Sequence, residues 1–148
     1  MTIRRQRINA RTRRKLRLSS YRKWLNPVYK SKTVQAIMKA AHKSPNKKEK
    51  LLGSLLDEWF PNRFKFVGNG KLILDGKCPD FIDEKNRLLI ELYGDWWHKG
   101  ETEEPRINHF KKLNYDTLVV WEHELEYPKI LYNKIKEFVE KGILNDME

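Results

Sequence analysis

The chain contains a single cysteine, Cys78, in 148 residues. One thiol excludes an internal disulfide and a cysteine-rich structural zinc site, and it accords with a reducing, cytoplasmic setting. No apolar run is long enough to suggest a membrane-spanning helix, and the first residues lack the apolar stretch of a secretory signal. The most telling absence is acidic: residues 1–48 hold 16 Lys/Arg and not one Asp or Glu. The remaining residues carry 15 basic and 20 acidic side chains, so the overall charge of +11 belongs entirely to the N-terminal third.

A cationic arm joined to a mildly acidic body divides two tasks between them. The arm would draw in a polyanion by neutralising phosphates, and duplex nucleic acid is the leading partner. Its contacts are expected from Arg4, Arg5, Arg7, Arg11, Arg13, Arg14, Lys15, Arg17, Arg22, Lys23, Lys30, Lys32 and Lys39. With 39% apolar residues and five tryptophans, the rest can build one core of ordinary domain size. The expected boundary is Ser44-Pro45-Asn46, giving an arm over residues 1–43 and a domain over 44–148.

Within the arm, apolar periodicity from Ile3 to Trp24 is weak, which fits either an extended segment or a helix formed on DNA. Asn26-Pro27 breaks it, and Thr33–Ala41 reads as a short helix. In the body, Leu51, Leu52, Leu55, Leu56 and Trp59 mark a helix ended by Pro61. Phe64–Val67 and Leu72–Leu74 read as strands, followed by a hairpin, a polar loop over 99–105, a helix from Arg106, a buried strand Thr117–Trp121 and a closing helix from Pro128. That order predicts an α/β (α+β) fold, a mixed sheet flanked by helices.

The hairpin carries the chemistry. Cys78-Pro79-Asp80-Phe81-Ile82 and Leu88-Leu89-Ile90-Glu91-Leu92-Tyr93 flank a polar turn. Centring the turn between Lys85 and Asn86 sets Ile82 opposite Leu89 and Asp80 opposite Glu91. Cross-strand Cβ atoms are roughly 4.5–5.5 Å apart, and like charges at that spacing repel. Glu91 interrupts an otherwise apolar strand and must be paired, metal-bound or at a sheet edge. Two carboxylates so placed suit a hard divalent ion such as Mg2+, with Mn2+ a substitute. Tyr93 projects from the same face, and His98 just beyond can move a proton near neutral pH. Glu49 is a third candidate acid. It either closes a capping box with Asn46 or, with Ser44 as the cap and Pro45 at N1, stays available to the site.

Asp80…Glu91-Leu92-Tyr93 resembles the core motif of the PD-(D/E)XK nucleases. Gly94-Asp95-Trp96-Trp97-His98 and Val119-Val120-Trp121-Glu122-His123-Glu124-Leu125 are similar to the very-short-patch-repair-like, EDxHD homing-endonuclease-like branch. The likeness implies a restriction-endonuclease-like core, with Glu49 as the helical Glu, Asp80 as a metal-binding Asp and His98 as the catalytic His. Tyr93 stands where the wider superfamily has Lys or the repair branch its first His, so the general base departs from the pattern. Residues 26–41 look like the modular DNA-binding helices attached to homing and phage-type endonucleases. The expectation is a Mg2+-dependent endonuclease on double-stranded DNA, monomeric or homodimeric, with Asp80 and Glu91 as ligands. The rivals are a non-catalytic DNA binder on the same fold and an RNA-binding protein.

Overall fold

The computed structural model describes residues 9–41 and 44–145. The chain divides into two compact units between Ile37 and Met38, a division that falls inside a helix.

The first unit is helical. Helix α1 (Ala10–Trp24) starts where the Asn9 side chain accepts from the Thr12 N–H at 2.8 Å, and it buries none of its residues. Arg, Lys and Leu are good helix formers, so α1 rests on local propensity, its cap and Arg22 and Lys23 at its negative end. Helix α2 (Pro27–Ala41) begins earlier than its periodicity predicts. Asn26 caps it by accepting from Val28 and Tyr29, and Pro27 occupies the first helical position, where its missing N–H costs nothing.

The second unit is an α+β domain. Helix α3 (Lys47–Trp59) leads to strands β1 (Lys65–Phe66), β2 (Phe81–Asp83) and β3 (Leu88–Tyr93). Helix α4 (Glu104–Lys111), strand β4 (Asp116–Trp121), a 3₁₀ turn (Glu122–Glu126) and helix α5 (Pro128–Asn145) complete it. The sheet order is β1-β2-β3-β4, with β1-β2 and β2-β3 antiparallel and β3-β4 parallel. The predicted strand Leu72–Leu74 is instead a loop making one isolated bridge, Leu74 to Lys77. Its leucines pack against Ile82, Leu89 and Phe110, so their apolar character serves burial without joining the ladder.

Alternation along β3 sorts the two faces. Leu88 and Ile90 join Phe81 and Val120 beneath α3 (Leu52, Leu56) and α5 (Leu131, Ile135, Val139). Leu89 joins Ile82 and Phe110 of α4 on the opposite face. Glu91 and Tyr93 share the α4 face with Leu89 by the same alternation. Among the described residues no helix is long and apolar enough to cross a membrane.

Candidate active site

Asp80 is set by three local devices. Pro79 is buried before it, and the β1–β2 pairing closes in a β-bulge, where Val67 and Gly68 both donate to the Asp80 carbonyl at 2.8 and 3.1 Å. A Cβ on Gly68 would lie 2.8 Å from the Phe66 ring and 3.2 Å from Asp80 Oδ1, so only glycine permits the approach. Asp80 Oδ2 accepts the Leu92 N–H at 2.8 Å, tying it to the strand that bears Glu91. The β2–β3 register pairs Phe81 with Ile90 and Ile82 with Leu89. Extended by one residue, it sets Asp80 beside Glu91, as the turn placement predicts, with both on the α4 face.

Glu91 is 3% exposed. Burial, reinforced by the charge of Asp80, pushes its carboxyl up to about 8, against the opposing pull of Arg106. Arg106, in the first turn of α4, donates from Nε to Glu91 Oε2 at 3.0 Å and from Nη2 to the Cys78 carbonyl at 2.8 Å. The same Nη2 lies 2.8 Å from Glu91 Oε2. The other oxygen, Oε1, is buried with no hydrogen-bond partner. A buried acid with one oxygen paired and one orphaned has a free acceptor that a cation could take. Among the described residues no three His, Cys, Asp or Glu side chains cluster as a metal centre. An ion held by this pair would therefore complete its shell with backbone, phosphate or water oxygen, which suits Mg2+.

Tyr93 and His98 stack with centroids 3.9 Å apart and planes at 14°. His98 Nδ1 meets Glu101 Oε2 at 2.8 Å, which fixes the ring and leaves Nε2 for other partners. Burial pushes the Tyr93 phenol up, so at neutral pH it is a hydrogen-bond donor and not a base. Asn46, not Ser44, caps α3: its side chain accepts from Lys48 and Glu49, while Glu49 Oε2 accepts the Asn46 N–H at 2.8 Å and Oε1 its side-chain amide at 2.8 Å. Glu49 thus closes the capping box. It also lines, with Asp80, Glu91, Tyr93, His98 and Arg106, one cleft of about 1190 Å³.

That cleft gathers all five acid–base candidates drawn from the sequence, together with four further cations: Lys47, Lys48, Lys77 and Arg106. Below it, Glu124 accepts the Trp121 N–H and binds Lys134, anchoring the 3₁₀ turn that places Glu122 on the rim. In the first unit, Arg11, Arg13, Arg14, Lys15, Arg17, Arg22, Lys23, Lys30 and Lys32 are all exposed. Arg4, Arg5 and Arg7, and the side chain of Lys39, lie outside the described residues.

No protein-family model and no curated protein sequence matches the chain. A solved structure does. The fold is similar to that of the Homing Endonuclease I-Bth0305I Catalytic Domain. The TM-score is 0.52 at 18% identity, over 67% of this chain and 99% of that one. The body is thus a homing-endonuclease-like α+β fold, and the cleft is lined from the start of α3, the β3 strand and the start of α4.

Proposed function

We propose that this protein is a Mg2+-dependent DNA endonuclease of the PD-(D/E)XK type, in the very-short-patch-repair-like, EDxHD homing branch. The observation that carries the reading is a carboxylate pair, buried Glu91 beside half-buried Asp80. Adjacent antiparallel strands bring Asp80 and Glu91 to one face of a homing-endonuclease-like sheet, and Glu91 Oε1 has no partner there.

Asp80 and Glu91 would hold the ion, with the Leu92 carbonyl as a further oxygen on the same strand. When bound, a divalent ion supplies Lewis-acid charge at a phosphate oxygen and a more acidic water. The chain's own residues do the rest. His98, held by Glu101 and stacked on Tyr93, takes or returns the proton. Tyr93 donates a hydrogen bond, and Glu49 at the rim is placed to assist. Lys48, Lys77 and Arg106 line the cleft with positive charge to receive a phosphodiester. The exposed cations of α1 and α2 track the duplex backbone, which positions the DNA without reading its sequence.

Supercoiled plasmid incubated with Mg2+ tests the reading. Conversion to open-circular or linear DNA is expected, with Mn2+ able to substitute and EDTA stopping it. An intact plasmid that still shifts in a gel would favour the non-catalytic DNA binder.

A further inference from the structure

In the nuclease reading Arg106 lends positive charge to the cleft, and its seating points to a more specific task. Its guanidinium is unusually well seated for a charged group at a helix start, where the dipole disfavours a cation. Nη2 sits 2.8 Å from both Glu91 Oε2 and the Cys78 carbonyl, and Nε adds a second bond to Oε2. Beneath it the guanidinium carbon lies 5.0 Å from the centroid of the Phe110 ring, one helical turn on and fully buried. A carboxylate oxygen and a backbone carbonyl converging on one point are the donors a hard divalent ion would take. Here a side-chain nitrogen occupies that point.

We propose that Arg106 is a built-in cation that fills a second ion seat, between Glu91 Oε2 and the Cys78 carbonyl, so that the Asp80–Glu91 pair takes one divalent ion and not two. The inference rests on the nuclease reading and deepens it. With both carboxylates ionised, as ion binding requires, the pair carries −2, and the guanidinium reduces this to −1, enough to hold one dication. A second dication would meet a fixed positive charge at hydrogen-bonding distance from its oxygens. Arg106 is thus a positioning residue: it commits Glu91 Oε2 and leaves Oε1 for the ion. Lysine keeps the charge but has no fork to span both oxygens at once.

Calorimetric titration with Mn2+, backed by electron paramagnetic resonance, tests this on the full chain without measuring cleavage. Wild type is expected to take one ion per chain. Arg106→Met, which frees both oxygens, is expected to take two and to show a spin-coupled pair, and Arg106→Lys is expected to remain at one. Two ions bound to wild type would overturn the inference while leaving the nuclease reading intact. One ion bound to a folded Arg106→Met chain, with unchanged affinity, would also overturn it. No ion bound to wild type would remove both readings together. If Arg106→Met fails to give a cooperative thermal transition, Arg106→Gln, neutral but able to hydrogen-bond Glu91, is titrated in its place, with two ions expected and one ion at unchanged affinity overturning the inference.

Discussion

Replacing Glu91 by glutamine should stabilise the metal-free protein while removing its capacity to hold an ion. In the folded chain the Glu91 carboxyl titrates at about 8, against 4.5 for an ordinary glutamate, chiefly because it is buried and secondly because Asp80 is beside it. Between those two values the unfolded chain has released a proton that the folded chain still holds. Stability contributed by this group is therefore complete at acid pH and drains away as pH rises through that window. Glutamine is neutral throughout and carries no such loss. The linkage gives Glu91→Gln an advantage of about 1 kcal/mol at pH 5, roughly 3 at pH 7 and roughly 5 at pH 9. Urea denaturation of both proteins in EDTA at those three pH values measures it directly. Added Mg2+ should narrow the gap by stabilising only wild type. A gap that stays constant with pH, or glutamine that destabilises at pH 9, would refute the claim that Glu91 is a costly buried charge.

Two further outcomes follow from residues that do not line the cleft. Burial works to raise the Asp83 carboxyl, but hydrogen bonds from Asn86 and Arg63 outweigh it and hold the group below the usual carboxylate range. Arg63→Ala removes the partner bonded at 2.7 Å and should cost about 3 kcal/mol in urea denaturation, with DNA affinity unchanged. In the arm, replacing Arg11, Arg13, Arg14, Lys15 and Arg17 with glutamine should weaken DNA binding and flatten its salt dependence. Each lost phosphate contact should reduce the slope of log affinity against log salt by about 0.9. The urea stability of the body should not change, because α1 buries nothing.

The hairpin is legible from sequence because two apolar runs flank one short polar turn, Asp83 to Arg87, which fixes the register, and a slip of one residue would turn Glu91 to the other face. The α3 helix was equally plain, with Leu52 and Leu56 buried as their spacing predicts. Leu72–Leu74 has the composition of a strand, yet Leu72 and Leu74 fill the core from a loop as readily as a strand would. Helix α1 was ambiguous for the opposite reason. It has no buried face, so hydrophobic periodicity carried no signal, and only its propensity and the Asn9 cap speak for it. At α2 the Asn26-Pro27 pair ends one helix and starts the next, because Asn serves as the cap and Pro fits the first helical position. For Glu91 the strand pattern demanded a partner but could not name it. Arg106 comes from a helix 15 residues further on, and its position shows only when β4 draws α4 across the sheet.

The central claim is that Asp80 and Glu91 together make a phosphodiester-cleaving centre, and Asp80→Ala tests it most directly. Wild type and variant are compared on supercoiled plasmid in Mg2+ at concentrations giving equal DNA occupancy in a gel shift. The account predicts that the variant binds like wild type and leaves the plasmid uncut. Cleavage by Asp80→Ala at the wild-type rate would contradict it.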